Sequence, residues 1–534
     1  MAVAVAAPHP AAIEAARTVV AAGGNAFDAA LAAAAALTVA YPHQCSVGGD
    51  LVAIVRPAPA SAGSAGGAVA VLSIGAAAAN VDVTGLRAAG PRMPFAGPQT
   101  VTVPGVVAGW AAIAELGARL PLAALLAPAR ALAADGVPVS PGLHRAILGR
   151  LDGIRADPGL RGLLLDDAGQ PRDTLAQPRL AATLDAIATN WRSFYRGHLG
   201  HRLVAGLNAF GSPLSVADFA AHRAEVTTPL SVVAVADTRV AAGTRIATDT
   251  EPAAGTGTFA RIGTAAGTGT GTGGVTWLAA PPPVQGATFL GIAGSGDLLT
   301  DARRAQFARD ALLGDPRTGP VDLDGLMLRR PVSAGVDADG PKPAGDTVAV
   351  TAVDDDGTAV TLIQSVFQSF GSGILEPDTG IVLHNRGSSF SLDPDHPGRL
   401  AGGVRPPHTL CPTLAVGGDT VLALGCQGGR SQPWILAQVA ADAFGTADPA
   451  GVLARPRWII GAREIDREAP TLLLEPGTPD AARLAEIGRG LGLAVEYTAG
   501  PHDDAGHVQM ARLSAGVLTA ASDPRADGLA AVLP

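Results

Sequence analysis

The chain has 534 residues, 48% hydrophobic and 16% charged, with a formal net charge of −9. The acidic balance, with Lys342 as the single lysine, excludes a protein that tracks nucleic-acid phosphates. A mean hydropathy of +0.28 gives ample apolar surface to bury, which excludes disorder for most of the chain.

Cys45, Cys411 and Cys426 are widely separated and form no CxxC pair, so neither a disulfide framework nor a zinc site follows. They are expected as buried, reduced thiols of a cytoplasmic protein. The N-terminal stretch Met1 to Pro10 has no basic n-region and its apolar run is broken by Pro8, so no export signal is expected in it. The alanine-rich run from Ala29 to Tyr41 falls short of the ~20 residues a membrane span needs, so no membrane partner is expected.

In chain order, Ala11 to Ala22 reads as a helix stopped by Gly23-Gly24, and Asn25 can cap a second helix reaching about Val39. After the Ser46-Val47-Gly48-Gly49-Asp50 turn, Leu51 to Val55 reads as a strand with Val69 to Ile74 as its hairpin partner. Residues 104–235 are mostly helical, including Leu180 to Trp191. Residues 241–274 are Gly/Thr/Ala-rich without a hydrophobic period and are expected as a surface insertion or loop. Val275 to Leu278 is a short strand. Ala302 to Leu313 is an amphipathic helix with Arg303, Arg304 and Arg309 on its polar side. Residues 331–346 form a polar, exposed linker rich in Pro and Gly, after which β-rich runs begin at Val348, Ala359, Gly380 and Thr420.

Two places can carry chemistry. Thr347 stands where the linker meets a strand. It either merely begins that strand or, if the Asp346–Thr347 bond is cut, carries a free α-amine beside its hydroxyl. An α-amine titrating near pH 8 can act as internal base for that hydroxyl. Gly428-Gly429 lies at a strand-to-helix turn, where successive N–H groups can face an oxyanion or simply make a tight turn.

The order Gly23-Gly24-Asn25-Ala26-Phe27-Asp28, Gly48-Gly49, Val103-Pro104-Gly105, Pro281-Pro282-Pro283, Asp346-Thr347, Gln364-Ser365, Arg405-Pro406, Gly428-Gly429 and Ala521-Ser522-Asp523-Pro524-Arg525 resembles the γ-glutamyltranspeptidase family over nearly the whole chain. That resemblance implies an α+β, four-layer αββα sandwich of the N-terminal-nucleophile (Ntn) hydrolases. It implies one precursor that cleaves itself between Asp346 and Thr347 into a large subunit (residues 1–346) and a small one (347–534). These would form a heterodimer, with a dimer of heterodimers compatible. Thr347 would be the nucleophile of self-cleavage and amide chemistry, Ser365 its supporting hydroxyl, and Gly428 and Gly429 the oxyanion site. No cofactor or metal is implied; the partner is a small-molecule amide.

At the positions where the family clamps a γ-glutamyl donor, the chain departs from the pattern. The family's donor-binding Asn matches Phe367, its ammonium-pairing Asp matches Ser389, its Ser-Ser pair matches His408-Thr409, and no Arg occurs in Leu72 to Ala77. Tyr41-Pro42-His43, Pro282-Pro283-Val284-Gln285-Gly286, Ile363-Gln364-Ser365, Asn385 to Leu392 and His408-Thr409 instead resemble a divergent branch that includes oxamate amidohydrolases. Arg386 then becomes a candidate clamp for a substrate carboxylate, or the partner of a neighbouring acid in its turn. Gln364 and His408 are candidate hydrogen-bonders to substrate, whereas His43 reads as a helix-ending, hydrogen-bonded residue rather than a substrate contact. Against that branch, Gly-Cys-Gln before Gly428 and Arg430-Ser431 after Gly429 are unusual. The expected activity is autoprocessing amide hydrolysis; γ-glutamyl transfer or glutathione hydrolysis, and a catalytically silent homologue, are the alternatives.

Overall fold

The computed structural model describes residues 1–58, 67–238, 259–265, 274–332, 346–462 and 465–534. The strands of the two large sheets, in chain order, are β1 (Val3–Ala7), β2 (Asp50–Arg56), β3 (Val69–Ser73), β4 (Glu225–Thr227), β5 (Leu230–Thr238), β6 (Phe259–Ala265), β7 (Val275–Ala279), β8 (Asp346–Asp354), β9 (Ala359–Phe367), β10 (Thr413–Gly417), β11 (Thr420–Gln427), β12 (His507–Ser514), β13 (Val517–Ser522) and β14 (Leu529–Leu533). They build two seven-stranded sheets. One runs β14-β1-β8-β9-β2-β3-β4 and the other β13-β12-β11-β10-β7-β5-β6. Within these sheets every pairing is antiparallel except β5 with β6.

Alternation along each strand decides which residues fill the space between the sheets. Ala4, Val52, Ile54, Ala349 and Ile363 of the first sheet meet Leu278, Leu414, Ala423 and Ala511 of the second. Alanines at several of these positions let the layers approach closely. A Cβ on Gly425 of β11 would lie 2.9 Å from Thr361 Cγ2 and 3.2 Å from Ala349 Cβ.

The opposite residues of the first sheet, among them Val348, Val350, Val360 and Leu362, join the core under the helices. There α1 (Pro10–Ala21), α2 (Ala26–Ala40), α3 (Val106–Gly117), α4 (Leu122–Asp135) and α5 (Pro178–Thr189) form the outer layer. Helix α2 is buried on every side, as its all-round apolar composition requires. The Asn25 side chain accepts from Phe27 N and Asp28 N, while Asp28 accepts from Asn25 N, a reciprocal cap. On the second sheet's outer face pack α6 (Gly286–Ile292) and α8 (Gln432–Gly445), with α7 (Leu298–Leu312) beside them. The result is the αββα sandwich. Both sheets draw strands from before and after residue 346, so the helix-rich and β-rich stretches interleave in one body.

Three expectations change. Strand β1, read only as an apolar start, runs through the first sheet between β14 and β8 with all five residues buried. A strand buried on both faces shows no alternation to detect. In the expected loop at 241–274, Phe259–Ala265 is an edge strand; a backbone ladder does not need a side-chain period. The rest of that stretch, apart from Gly274, and linker residues 333–345 lie outside the described residues. Finally, Asp346 belongs to β8 rather than to an exposed linker, and Thr347 is 1% exposed.

Candidate active site

The ladder between β8 and β9 shifts register at the start of β8: Asp346 pairs with Phe367, but Val348 pairs with Gln364. This irregularity leaves Thr347 facing Ser365 on the side of β8 and β9 that looks into the sandwich. The Thr347 hydroxyl donates to Ser365 Oγ at 3.1 Å. Ser365 Oγ in turn donates to the carbonyl oxygen of Asp346 at 2.8 Å and accepts from Phe367 N at 2.8 Å. One serine hydroxyl therefore joins the Thr347 hydroxyl to the carbonyl of the peptide bond preceding it. The Asp346 side chain is buried with Oδ2 unpartnered; burial pushes its carboxyl well above the usual range, with Arg150 pulling the other way.

Arg386 opens the short turn Arg386–Ser389 and is fully buried. Its guanidinium stacks 4.0 Å from the Phe367 ring centroid and donates to Thr409 Oγ1 at 3.1 Å and Ser365 Oγ at 3.4 Å. Nε has no partner, and no carboxylate among the described residues pairs with it. Burial lowers it to about 9, while the more distant Asp50 acts in the opposite sense. The alternative in which Arg386 pairs with a neighbouring acid in its turn is not seen among the described residues.

Asp50, directly opposite Ser365 in the β2–β9 ladder, was missed in the sequence. In the sequence it closes a Gly-rich turn, and only the register shows that its carboxylate points inward. Its Oδ2 lies 3.3 Å from His408 Nε2 and 3.4 Å from His384 Nδ1, and Oδ1 accepts from Gly75 N. Burial opposes the charge, but the two histidines outweigh it and hold Asp50 well below the usual carboxylate range. His408 is pushed down to about 3 by burial and by Arg386, so at neutral pH it is an uncharged ring whose N–H faces Asp50.

On the second sheet, Gly425 packs over Ala349, and Thr361 Oγ1 donates to Thr413 O, which aligns β10 and β11 with β8 and β9. Following β11 toward its C-terminus and β8 toward its N-terminus leads to the same end of the sandwich. Gly428 has φ +155°, and a Cβ there would fall 2.5 Å from Ile435 Cδ1, which would have to shift. Gln285 ties this turn to the other residues: its Nε2 donates to Thr409 O at 2.6 Å and Gly429 O at 3.3 Å.

A cavity of about 340 Å³ opens beside the cluster. Phe367, Ser389, His408 and Thr409 line it, whereas Thr347, Ser365 and Arg386 lie behind Phe367. The Ser389 hydroxyl is engaged with the carbonyls of Arg386 and Pro407. Gln364 is not part of the site: its amide takes Trp110 Nε1 and donates to Ala34 O in the helical layer, because alternation turns it away from Ser365. His43 packs against Tyr41 and Phe370 in the core, apart from the cavity. Arg303 and Arg309, expected on a solvent face, are buried, and Arg309 reaches Gln285 Oε1 at 2.9 Å. The three cysteines are buried and unpaired. Among the described residues there is no cluster suited to hold a metal and no helix long and apolar enough to cross a membrane.

The sequence profile described as Gamma-glutamyltranspeptidase matches residues 12–260 and 298–533. The chain belongs to the gamma-glutamyltranspeptidase family. Within this family it is 34% identical to the oxamate amidohydrolase proenzyme of Klebsiella pneumoniae subsp. pneumoniae, over 98% of this chain and 97% of that one. It is 31% identical to the glutathione hydrolase-like YwrD proenzyme of Bacillus subtilis, over 98% and 97%. The crystal structure of a cephalosporin acylase from Bacillus halodurans superposes with a TM-score of 0.80 at 28% identity, covering 99% of this chain and 95% of the other. This member of the family is thus an Ntn-hydrolase-class enzyme.

Burial makes the family scaffold acid-sensitive. It holds His43 and His408 at about 3 and His222 at about 4, against about 6.5 for an unfolded histidine. Each contributes stability that is complete above about pH 6.5 and is lost as the pH falls toward the folded-state value. The denaturation midpoint should therefore drop between about pH 7 and about pH 5, each histidine adding up to ~1.4 kcal/mol per pH unit. Asp346, shifted upward, acts in the opposite sense, so the informative comparison is between wild type and His43→Phe at each pH. A shallower slope in the variant is expected; identical slopes would contradict the assignment.

Proposed function

We propose that this enzyme is an autoprocessing amidohydrolase with Thr347 as its nucleophile, acting on a small amide that carries a carboxylate. The observation that carries the reading is the hydroxyl chain from Thr347 through Ser365 to the Asp346 carbonyl. In the precursor, Thr347 Oγ1 attacks that carbonyl carbon while Ser365 polarises its oxygen. The peptide C–N bond breaks as an ester to Thr347 forms, and water then releases the Asp346 carboxylate and the Thr347 α-amine. Freed from its pairing with Asp346, Phe367 can move and join the cavity to Thr347 and Arg386.

In the processed enzyme, the α-amine takes the hydroxyl proton as Thr347 attacks the substrate amide. The N–H groups of Gly428 and Gly429 receive the oxyanion, and the departing amine takes up a proton. Water hydrolyses the resulting ester. Arg386, buried without a carboxylate partner, supplies the clamp for the substrate carboxylate. The name of the Klebsiella relative supports both a processed precursor and a carboxylate-bearing amide as substrate. We further infer a heterodimer of the two fragments and, from the buried thiols, a cytoplasmic location.

Against γ-glutamyl chemistry stand Phe367 and Ser389, which leave a donor ammonium without an anion. Desolvating an unpaired ammonium costs several kcal/mol. Glutathione should be turned over with kcat/KM well below about 10⁴ M⁻¹s⁻¹, whereas ammonia release from oxamate and other small carboxylate-bearing amides should be readily measured. Efficient hydrolysis of glutathione or γ-glutamyl-p-nitroanilide would reverse this reading.

A further inference from the structure

Three residues stand in a row across adjacent strands, on the face that looks into the sandwich: Thr347 on β8, Ser365 on β9 and Asp50 on β2. Alternation fixes this face, since Ala349, Ile363 and Val52, two residues along from each, fill the space between the sheets. Thr347 and Ser365 carry the hydroxyl chain, and Asp50, a fully buried carboxylate, ends the row. Taking a carboxylate out of water is costly unless its surroundings compensate it.

Ser365 and Asp50 are directly opposite in an antiparallel ladder, which sets their Cβ atoms about 4.5–5.5 Å apart and their polar atoms within reach of each other. In the precursor the one Ser365 proton is committed elsewhere, to the Asp346 carbonyl at 2.8 Å. An ionised carboxylate offers about four acceptor positions. Gly75 N takes one on Oδ1, and the rings of His408 and His384 face Oδ2, which leaves room for one more donor. Self-cleavage supplies it: the Asp346 carbonyl leaves with the large fragment, and the serine proton loses its acceptor.

The same event creates the Thr347 α-amine beside Ser365. When that amine takes the nucleophile's proton it becomes a cation, in a site where Arg386 Nη2 already lies 3.4 Å from Ser365 Oγ. Two buried cations side by side repel. Asp50 is the anion placed to offset them, and it already acts on the Arg386 guanidinium. His408 is uncharged at neutral pH, and beyond Asp50 stand His222 and the Tyr195 hydroxyl, both neutral. Across the scissile bond lie the Asp346 carboxyl, Arg150 and Asp504. The first belongs to the large fragment's new end, and the other two carry opposite charges.

We propose that Asp50 is a positioning residue of the processed enzyme: it accepts the Ser365 hydroxyl freed by self-cleavage, so that Ser365 turns a lone pair to the Thr347 α-amine, and its charge offsets the one that this amine gains as Thr347 attacks. This rests on the reading of Thr347 as the released nucleophile. The proton passes from the Thr347 hydroxyl to the amine; Asp50 exchanges none and stays ionised throughout.

The test is the pH profile of Asp50→Asn, which keeps the shape and an acceptor for the histidines but removes the charge. Intact mass should still show two fragments, because Ser365 of the precursor donates to Asp346 rather than to Asp50. On oxamate, kcat should fall by about 10–100-fold with KM within about threefold of wild type. An anion beside an amine favours its protonated form, so removing it lowers the amine's pKa. The acid limb of kcat/KM should therefore move to lower pH by about one unit, and Asp50→Glu should keep it near the wild-type position. A fall in activity with the limb unmoved, or a rise in KM alone, would overturn the proposal and leave Asp50 a structural partner of the histidines. Should Asp50→Asn not fold, Asp50→Ser carries the same comparison. If oxamate is not turned over, cyanate labelling of the Thr347 amine, followed by mass spectrometry across pH, replaces turnover. The ratio of the variant's rate to the wild type's should rise by up to about tenfold as pH falls, and a flat ratio refutes the role of Asp50. An uncleaved wild type would instead refute the release of Thr347, and the role of Asp50 with it.

Discussion

Thr347→Ala should remain a single 53.1 kDa chain on prolonged incubation and lose amide hydrolysis by about 10⁵–10⁶-fold, the scale seen when a catalytic nucleophile is deleted. The substitution removes the hydroxyl that donates to Ser365 and one buried γ-methyl near the start of β8, a cavity worth about 1 kcal/mol. The fold should therefore persist, with an unchanged circular dichroism spectrum. Thr347→Ser retains the hydroxyl and should cleave, more slowly because the methyl that fixes the rotamer is gone. Cleavage or substantial activity in the alanine variant would remove Thr347 from its role.

Arg386→Met should raise KM for a carboxylate-bearing amide by about 10–100-fold, the value of one charge-assisted hydrogen bond. Methionine keeps a chain long enough to cover Phe367 but cannot pair with an anion. Because the guanidinium is buried and pushed down to about 9 by that burial, it is held at a cost to the free protein. Stability of the variant should therefore not fall. Self-cleavage should be slowed far less, since the contact to Ser365 is long at 3.4 Å and Ser365 keeps its bonds to Asp346 O and Phe367 N. A matched fall on an amide without a carboxylate would mark the arginine as structural instead.

Local signals were legible wherever backbone chemistry dictates them. Asn25 caps α2, the β2–β3 hairpin forms, and Thr347 stands at the head of a strand. What single positions could not reveal is direction. Gln364 and Ser365 are neighbours, yet one turns toward Trp110 and the other toward Thr347, and only the sheet's orientation decides which. The same holds for Asp50, an acid that reads as a turn residue until the β2–β9 register sets it opposite Ser365. Arg309 looks solvent-facing on a helix period, but the face it occupies lines a cavity. Strand β1 left no alternation to read because both of its faces are buried.

The central claim, that Thr347 is released as an N-terminal nucleophile, is tested most directly by intact-mass and N-terminal analysis of the purified wild-type protein after incubation. Two fragments are predicted, residues 1–346 and residues 347–534, the smaller beginning Thr347-Val348-Ala349 and gaining an acyl adduct on Thr347 when quenched during turnover. An intact chain that nevertheless hydrolyses amides, or cleavage at any bond other than Asp346–Thr347, would contradict it.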